Sequence, residues 1–242
     1  MACTGAAPLA TLASSASASP TLGAENSSEV WWTPELRLSS LQAIPARLDQ
    51  PFADPYDTAT LLNGNVDQKT VSSCVDYLRL LPLRYQPLTV NDATRYRLEG
   101  CKCQALEALE AARPAQRDSL AKFSLEDESV LSMLPPLLGP TPSPLQISER
   151  ERATQQGSSW RMIDPGARVT AASDSKANII GPGWTTEIEV LARADFNGDS
   201  SEDLLVQTFS YGTEGDWTEV KLRVLTRVSG KAVLAIVREI PV

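Results

Sequence analysis

Histidine is absent from the 242 residues. That removes the usual general base, the Ser-His and Cys-His nucleophile pairs and the commonest transition-metal ligand. Two-carboxylate or Ser-Lys hydrolysis would still be open. The chain, however, has no glycine loop of the phosphate-cradling kind and no Gly-x-Ser-x-Gly elbow. No apolar run approaches the roughly 18–20 residues that span a bilayer. Basic excess is missing too. Asp and Glu number 30 against 22 Lys and Arg, a net charge of -8, which disfavours nucleic acid. An acidic balance suits solubility, cation binding or a basic protein partner. The absences together point away from an enzyme.

What is present begins with an unusual N-terminus. From Thr4 to Ser28 nearly every residue is Ala, Ser, Thr, Pro or Gly, with no apolar periodicity. Such a segment buries too little surface to offset its ordering entropy, so residues 1–28 are expected to be a flexible tether. Ala2-Cys3 followed by this tether resembles the mature start of bacterial lipoproteins, where a small residue precedes the lipid-carrying Cys. The charged and hydrophobic signal regions of that family do not stand upstream, which reads Met1 as an artificial start. The resemblance implies lipidation at Cys3 and a periplasmic, lipid-anchored location, with the outer membrane as the expected anchor. Membrane contact would then run only through the lipid.

Removing Cys3 leaves Cys74, Cys101 and Cys103. Val71, Cys74, Val75, Leu78 and Leu81 share a face at helical spacing, as do Leu98, Cys101, Ala105, Ala108, Leu109 and Ala112. Cys103 lies two residues on, about 200° around the helix. The pattern therefore predicts a Cys74–Cys101 disulfide, with Cys74–Cys103 as the alternative.

The expected fold is α+β, with a mainly helical region over 29–145 packed against a β-rich region over 146–242. Helices are predicted near 67–81, 91–112, 125–134 and 148–156, Asn91 or Asp92 capping the second. The proline-rich LLGPTPSPLQ is predicted to be an exposed linker or a loop hugging the domain wall. Four strands, near 187–194, 203–209, 218–227 and 231–239, make a four-stranded antiparallel meander with one packed face and one wet face.

The most specific chemical signal is ADFNGDSSEDLLV. Asp195, Asn197, Asp199 and Asp203 occupy positions one, three, five and nine of a loop entering a strand. A tight loop delivers alternate oxygen side chains inward, and calcium takes six to eight oxygens at about 2.3–2.6 Å. A turn alone accounts for Asn-Gly and Asp-Ser, but it does not require three mutually repelling aspartates. The pattern resembles the calcium loop of FG-GAP and VCBS-type repeats. That resemblance implies ligands at Asp195, Asn197, Asp199, Ser201 (through its carbonyl) and Asp203. Ser200 stands where those repeats commonly carry glycine, and a single copy implies no propeller. The role implied for calcium is structural.

Further carboxylates at Glu187, Glu189, Glu214, Asp216 and Glu219 are expected at solvated strand ends. The function expected is a non-enzymatic envelope lipoprotein that binds a protein partner, such as an inhibitor or immunity protein. The alternative is a carbohydrate- or peptidoglycan-directed module using acidic residues near Trp184 and Trp217.

Overall fold

The computed structural model describes residues 29–53, 59–63, 67–83, 85–121, 123–170 and 172–242. Cys3 and the expected tether lie outside the described residues. The first half alternates short elements: β1 (Trp31–Trp32), α1 (Ile44–Asp49), β2 (Ala59–Asn63), β3 (Asp67–Val71), α2 (Cys74–Leu80), β4 (Gln86–Pro87) and α3 (Val90–Ala111). The expected helix over 67–81 is thus a strand followed by a shorter helix. Ser73 sets the boundary, its hydroxyl capping α2 by accepting from the Asp76 amide at 3.2 Å. Thr89 caps α3 in the same way through the Asp92 amide, displacing the cap expected at Asn91 or Asp92.

Beyond α3 come α4 (Pro144–Gln155) and α5 (Trp160–Ile163). The helix expected near 125–134 is a 3-10 turn, Glu128–Ser132. The chain then runs through β5 (Arg168–Thr170), β6 (Lys176–Gly181), β7 (Trp184–Ala194), β8 (Asp203–Gly212), β9 (Thr218–Thr226) and β10 (Ala235–Ile240).

The expected four-stranded meander is too small. β5 to β10 form six consecutive antiparallel strands, and β1 pairs with β7 to make a seven-stranded sheet. β3-β2-β4 form a second, three-stranded sheet inside the half expected to be helical. Both misses have one physical cause. Four of the five β3 side chains are exposed, so the strand carries no alternation and is held by its backbone pairing to β2. β5 has three residues and β6 six, too short for a period to stand out.

The expected wet face is also covered. On one side Leu205, Leu222 and Val224 pack with Leu61, Tyr77, Leu106 and Leu109. On the other, Ile188, Val190, Leu204 and Val206 pack with Leu131, Leu134, Leu138 and Trp160. The register of β7 against β8 shifts between Val190 and Ala192, so a bulge at Leu191 turns Ala192 to the face opposite Val190.

The first half of the proline-rich stretch is a loop on the wall, Leu138, Gly139, Pro140 and Thr141 being buried together with the preceding Pro135 and Pro136, while its second half is exposed and enters α4 at Pro144. Proline supplies no N–H for a sheet ladder, and the buried carbonyls need donors. They find them in cations that the sheet and α4 send across. Arg150 donates to the Pro136 carbonyl at 3.0 Å, Arg223 to Leu137 at 2.6 Å and Lys221 to Gly139 at 2.8 Å.

The disulfide joins Cys74 to Cys103, with a Cα separation of 5.0 Å, and Cys101 is a buried free thiol. The expected Cys74–Cys101 pair is therefore incorrect. Core-facing position does not separate the two candidates, because the C-terminal half of α3 buries Cys101, Cys103, Ala105, Leu106, Ala108 and Leu109 nearly all round. The apolar stripe of α2 also lies elsewhere: Cys74, Tyr77 and Leu80 are buried while Val75 is 42% exposed.

Candidate functional site

The aspartate loop is the connection between β7 and β8, whose last cross-strand pair is Ala194 with Asp203. Its oxygens are organised by the loop's own amides. Asp195 accepts from the Gly198 amide at 2.6 Å and the Ser200 amide at 3.0 Å, one on each carboxylate oxygen. Asn197 Oδ1 accepts from the Asp199 amide at 2.8 Å, and Asp199 Oδ1 from the Ser201 amide at 2.7 Å. Asp203 accepts from the Phe196 amide at 3.0 Å, which ties the two ends of the loop together. These turns of side chain onto nearby amides explain why Asp and Asn occupy these positions.

Two residues hold left-handed backbone, Gly198 at φ 84 and Ser200 at φ 67. The first is ordinary for glycine. The second is a strained position for serine, and it turns the Ser200 carbonyl outward to accept from the Gln116 and Arg117 amides at 3.0 and 3.1 Å.

Those contacts belong to a latch that the sequence did not signal. Residues 113–119 run alongside the hairpin: Arg113 and Asp195 exchange backbone hydrogen bonds, and the Glu202 amide donates to the Arg117 carbonyl at 2.9 Å. Arg117 Nη2 also donates to the Asp199 carbonyl at 2.7 Å. The PAQRD stretch has no periodicity or motif, so nothing in it marks this docking.

The five expected ligand residues thus share one hairpin, but they are not equivalent. Asp195 and Asp203 are buried at its base, while Asn197 and Asp199 are exposed at its tip. Burial, then the charges of Asp199 and Asp195, hold the Asp203 carboxyl above the usual range. Burial would also raise Asp199, but the Ser201 amide, Asn197 and Arg117 outweigh it and hold Asp199 low.

The donor set, three carboxylates and an amide oxygen, fits a hard divalent cation in kind. The geometry is less open. Asn197 Nδ2 reaches Asp199 Oδ2 at 3.2 Å and Asp203 Oδ1 at 3.4 Å, so the amide donor bridges the two carboxylates. Among the described residues, no group of three or more His, Cys, Asp or Glu converges as a metal site.

The second acidic neighbourhood divides by strand face. Glu219 is committed to structure, accepting from the Thr141 amide at 2.9 Å, from the Thr141 hydroxyl and from Lys221 at 2.8 Å. Glu187 and Glu189 are not at a strand end. They lie mid-strand on β7, on the wall of a cavity of about 410 Å³ under α3. Glu189 is held by Lys176 at 3.3 Å and by the Thr33 hydroxyl at 3.2 Å; burial, then the Glu35 charge, raises its pKa. Trp184 stacks on Trp160 with ring centroids 6.0 Å apart.

Among the described residues no helix is long and apolar enough to cross a membrane. No family model matches the chain, and no match is found among curated proteins or solved structures.

Proposed function

We propose that this is a non-enzymatic cell-envelope lipoprotein, tethered through Cys3, that acts by binding a protein partner and carries a structural calcium clamp at residues 195–203. The observation that supports the clamp most is the bridging by Asn197 Nδ2 of two mutually repelling carboxylates, Asp203 buried at the base of the hairpin and Asp199 exposed at its tip. The amide supplies a partial positive charge where a cation would supply a full one. Turning the Asn197 amide would exchange its nitrogen for an oxygen ligand, at the cost of the bond its oxygen accepts from the Asp199 amide. Calcium would then join Asp195, Asn197, Asp199, Asp203 and the Ser201 carbonyl, and lock the β7–β8 hairpin.

The Cys74–Cys103 disulfide supports an oxidising compartment such as the periplasm. The net charge of -8 supports a basic partner, as an inhibitor or immunity protein of a cell-wall hydrolase or toxin would meet. The glycan reading draws less support, since Trp184 is spent on Trp160 and Glu219 on Thr141 and Lys221.

Isothermal titration tests the clamp. Wild-type protein is expected to bind calcium saturably and Asp199→Ala to bind it much more weakly; no heat from the wild type at millimolar calcium removes the site. A pull-down from envelope extract tests the action. A stoichiometric protein partner supports it, and retention on glycan alone replaces it with the carbohydrate-directed reading.

A further inference from the structure

At the tip of the β7–β8 hairpin stands an Asn-Gly pair, Asn197–Gly198, with both residues exposed. An asparagine followed by glycine carries its own reactant. The backbone nitrogen of the glycine can attack the side-chain amide carbon and close a five-membered imide, with no Cβ in the way. In an unstructured chain nothing assists that closure. Here each reacting group already has a partner.

The nucleophile faces a proton acceptor. The Gly198 amide donates to Asp195 Oδ1 at 2.6 Å, and a charge-assisted bond of this kind places electron density on the nitrogen. Asp195 is buried and held through its other oxygen by the Ser200 amide at 3.0 Å, so the acceptor is fixed. The electrophile is polarised. Asn197 Oδ1 accepts from the Asp199 amide at 2.8 Å, which aims a backbone N–H at the oxygen that turns negative as the nitrogen adds. The departing group, Asn197 Nδ2, lies between Asp199 Oδ2 at 3.2 Å and Asp203 Oδ1 at 3.4 Å. Room for the ring is free as well, since a Cβ built on Gly198 would meet no atom within 4 Å.

We propose that Asn197 is a self-modification site, converted to aspartate or isoaspartate through a succinimide closed on Gly198. The Gly198 nitrogen bonds to Asn197 Cγ and hands its proton to Asp195 Oδ1, while the carbonyl electron pair moves onto Asn197 Oδ1. The pair returns, the Cγ–Nδ2 bond breaks, and the nitrogen leaves as ammonia with the proton that Asp195 gives back. Water then opens the imide at either carbonyl, and no oxidant or reductant enters. One opening leaves a carboxylate on an unchanged main chain; the other adds a methylene to the main chain. Both products delete the Nδ2 donor that bridges Asp199 and Asp203, and both place one more negative charge beside them. The modification therefore loosens the tip of the hairpin. It needs no cation and does not rest on the calcium reading.

Incubation of the full chain in chelator at mildly alkaline pH, followed by tryptic digestion and mass spectrometry, tests this directly. The peptide from Ala194 to Lys221 holds a single asparagine, and fragmentation separates Asn197 from Gln207. Replacement of NH2 by OH at Asn197 is expected. It should run about tenfold faster in the folded chain than in a synthetic peptide of residues 194–204, the worth of one prepositioned donor or acceptor on the reacting atoms. Asp195→Asn keeps an acceptor but removes its charge, so it should slow the conversion in the chain and leave the peptide rate unchanged. Conversion slower in the folded chain than in the peptide overturns the proposal, because the loop would then protect Asn197. A chain rate that Asp195→Asn leaves intact overturns it as well. Calcium calorimetry bears on neither outcome, so this proposal and the clamp can fail separately.

Discussion

Lys221 and Gly139, 82 residues apart in sequence, are joined by a 2.8 Å hydrogen bond from the lysine ammonium to the glycine carbonyl. Burial pushes the Lys221 pKa down to about 8, although Glu219 opposes the shift. Below about pH 8 the folded and unfolded chains both hold the proton, and the folded chain carries the full burial penalty. Above it the folded chain releases the proton while the unfolded lysine, at 10.5, retains it. Stability should therefore rise between about pH 8 and 10.5, by up to the order of 3 kcal/mol. Denaturant unfolding checks the slope between about pH 8 and 9, below the range in which the buried Cys101 thiol and Tyr77 hydroxyl, both raised by burial, pull the other way, and a flat or falling profile there contradicts it. Lys221→Met should flatten the rise. Near neutral pH it relieves the burial penalty while Gly139 and Glu219 lose a partner, so its net cost there should stay below about 2 kcal/mol.

The Cys74–Cys103 pairing is directly readable by peptide mapping, because Lys102 places Cys101 and Cys103 on different tryptic peptides. After alkylation of free thiols, the Cys74 peptide should be found linked to the one beginning at Cys103. The peptide ending at Lys102 should carry an alkylated Cys101. A Cys74–Cys101 link would refute the pairing. Burial raises the Cys101 thiol far above its ordinary value, so it supplies little thiolate for exchange. Cys103→Ser should destabilise the protein by roughly 3–4 kcal/mol, the chain-entropy value for a loop spanning 29 residues. Cys101→Ser should leave the disulfide in place.

Local chemistry was legible in the sequence, and long-range chemistry was not. The hairpin at 195–203 could be placed because Asp and Asn side chains accept from amides two to five residues away. α3 could be placed because its apolar residues recur at helical spacing. The latch at 113–119 and the burial of the proline strap depend on partners some 80 residues distant, such as Lys221 and Arg223. The pairing of Cys74 turned on which side of a nearly fully buried helix met α2, and an apolar stripe carries no such information. The mid-strand place of Glu187 and Glu189 on a cavity wall needed the β6–β7–β8 register.

Ser200 offers a test of how the hairpin is held. Its φ of 67 is a conformation that glycine adopts freely and serine does not, and the neighbouring Gly198 at φ 84 meets no atom within 4 Å of an added Cβ. The bonds that fix Ser200 are all backbone on its side: its amide donates to Asp195, and its carbonyl accepts from Gln116 and Arg117. Ser200→Gly keeps each of them. It relieves the backbone strain while adding some freedom to the unfolded chain, so a net gain of about 0.5 kcal/mol is expected. Gly198→Ala has ample space but the wrong φ, and should lose about 1 kcal/mol for conformational reasons alone. Thermal unfolding of both variants in chelator separates these effects from any cation. If Ser200→Gly is instead markedly destabilising, the serine side chain is holding the loop and the strain account of this position fails.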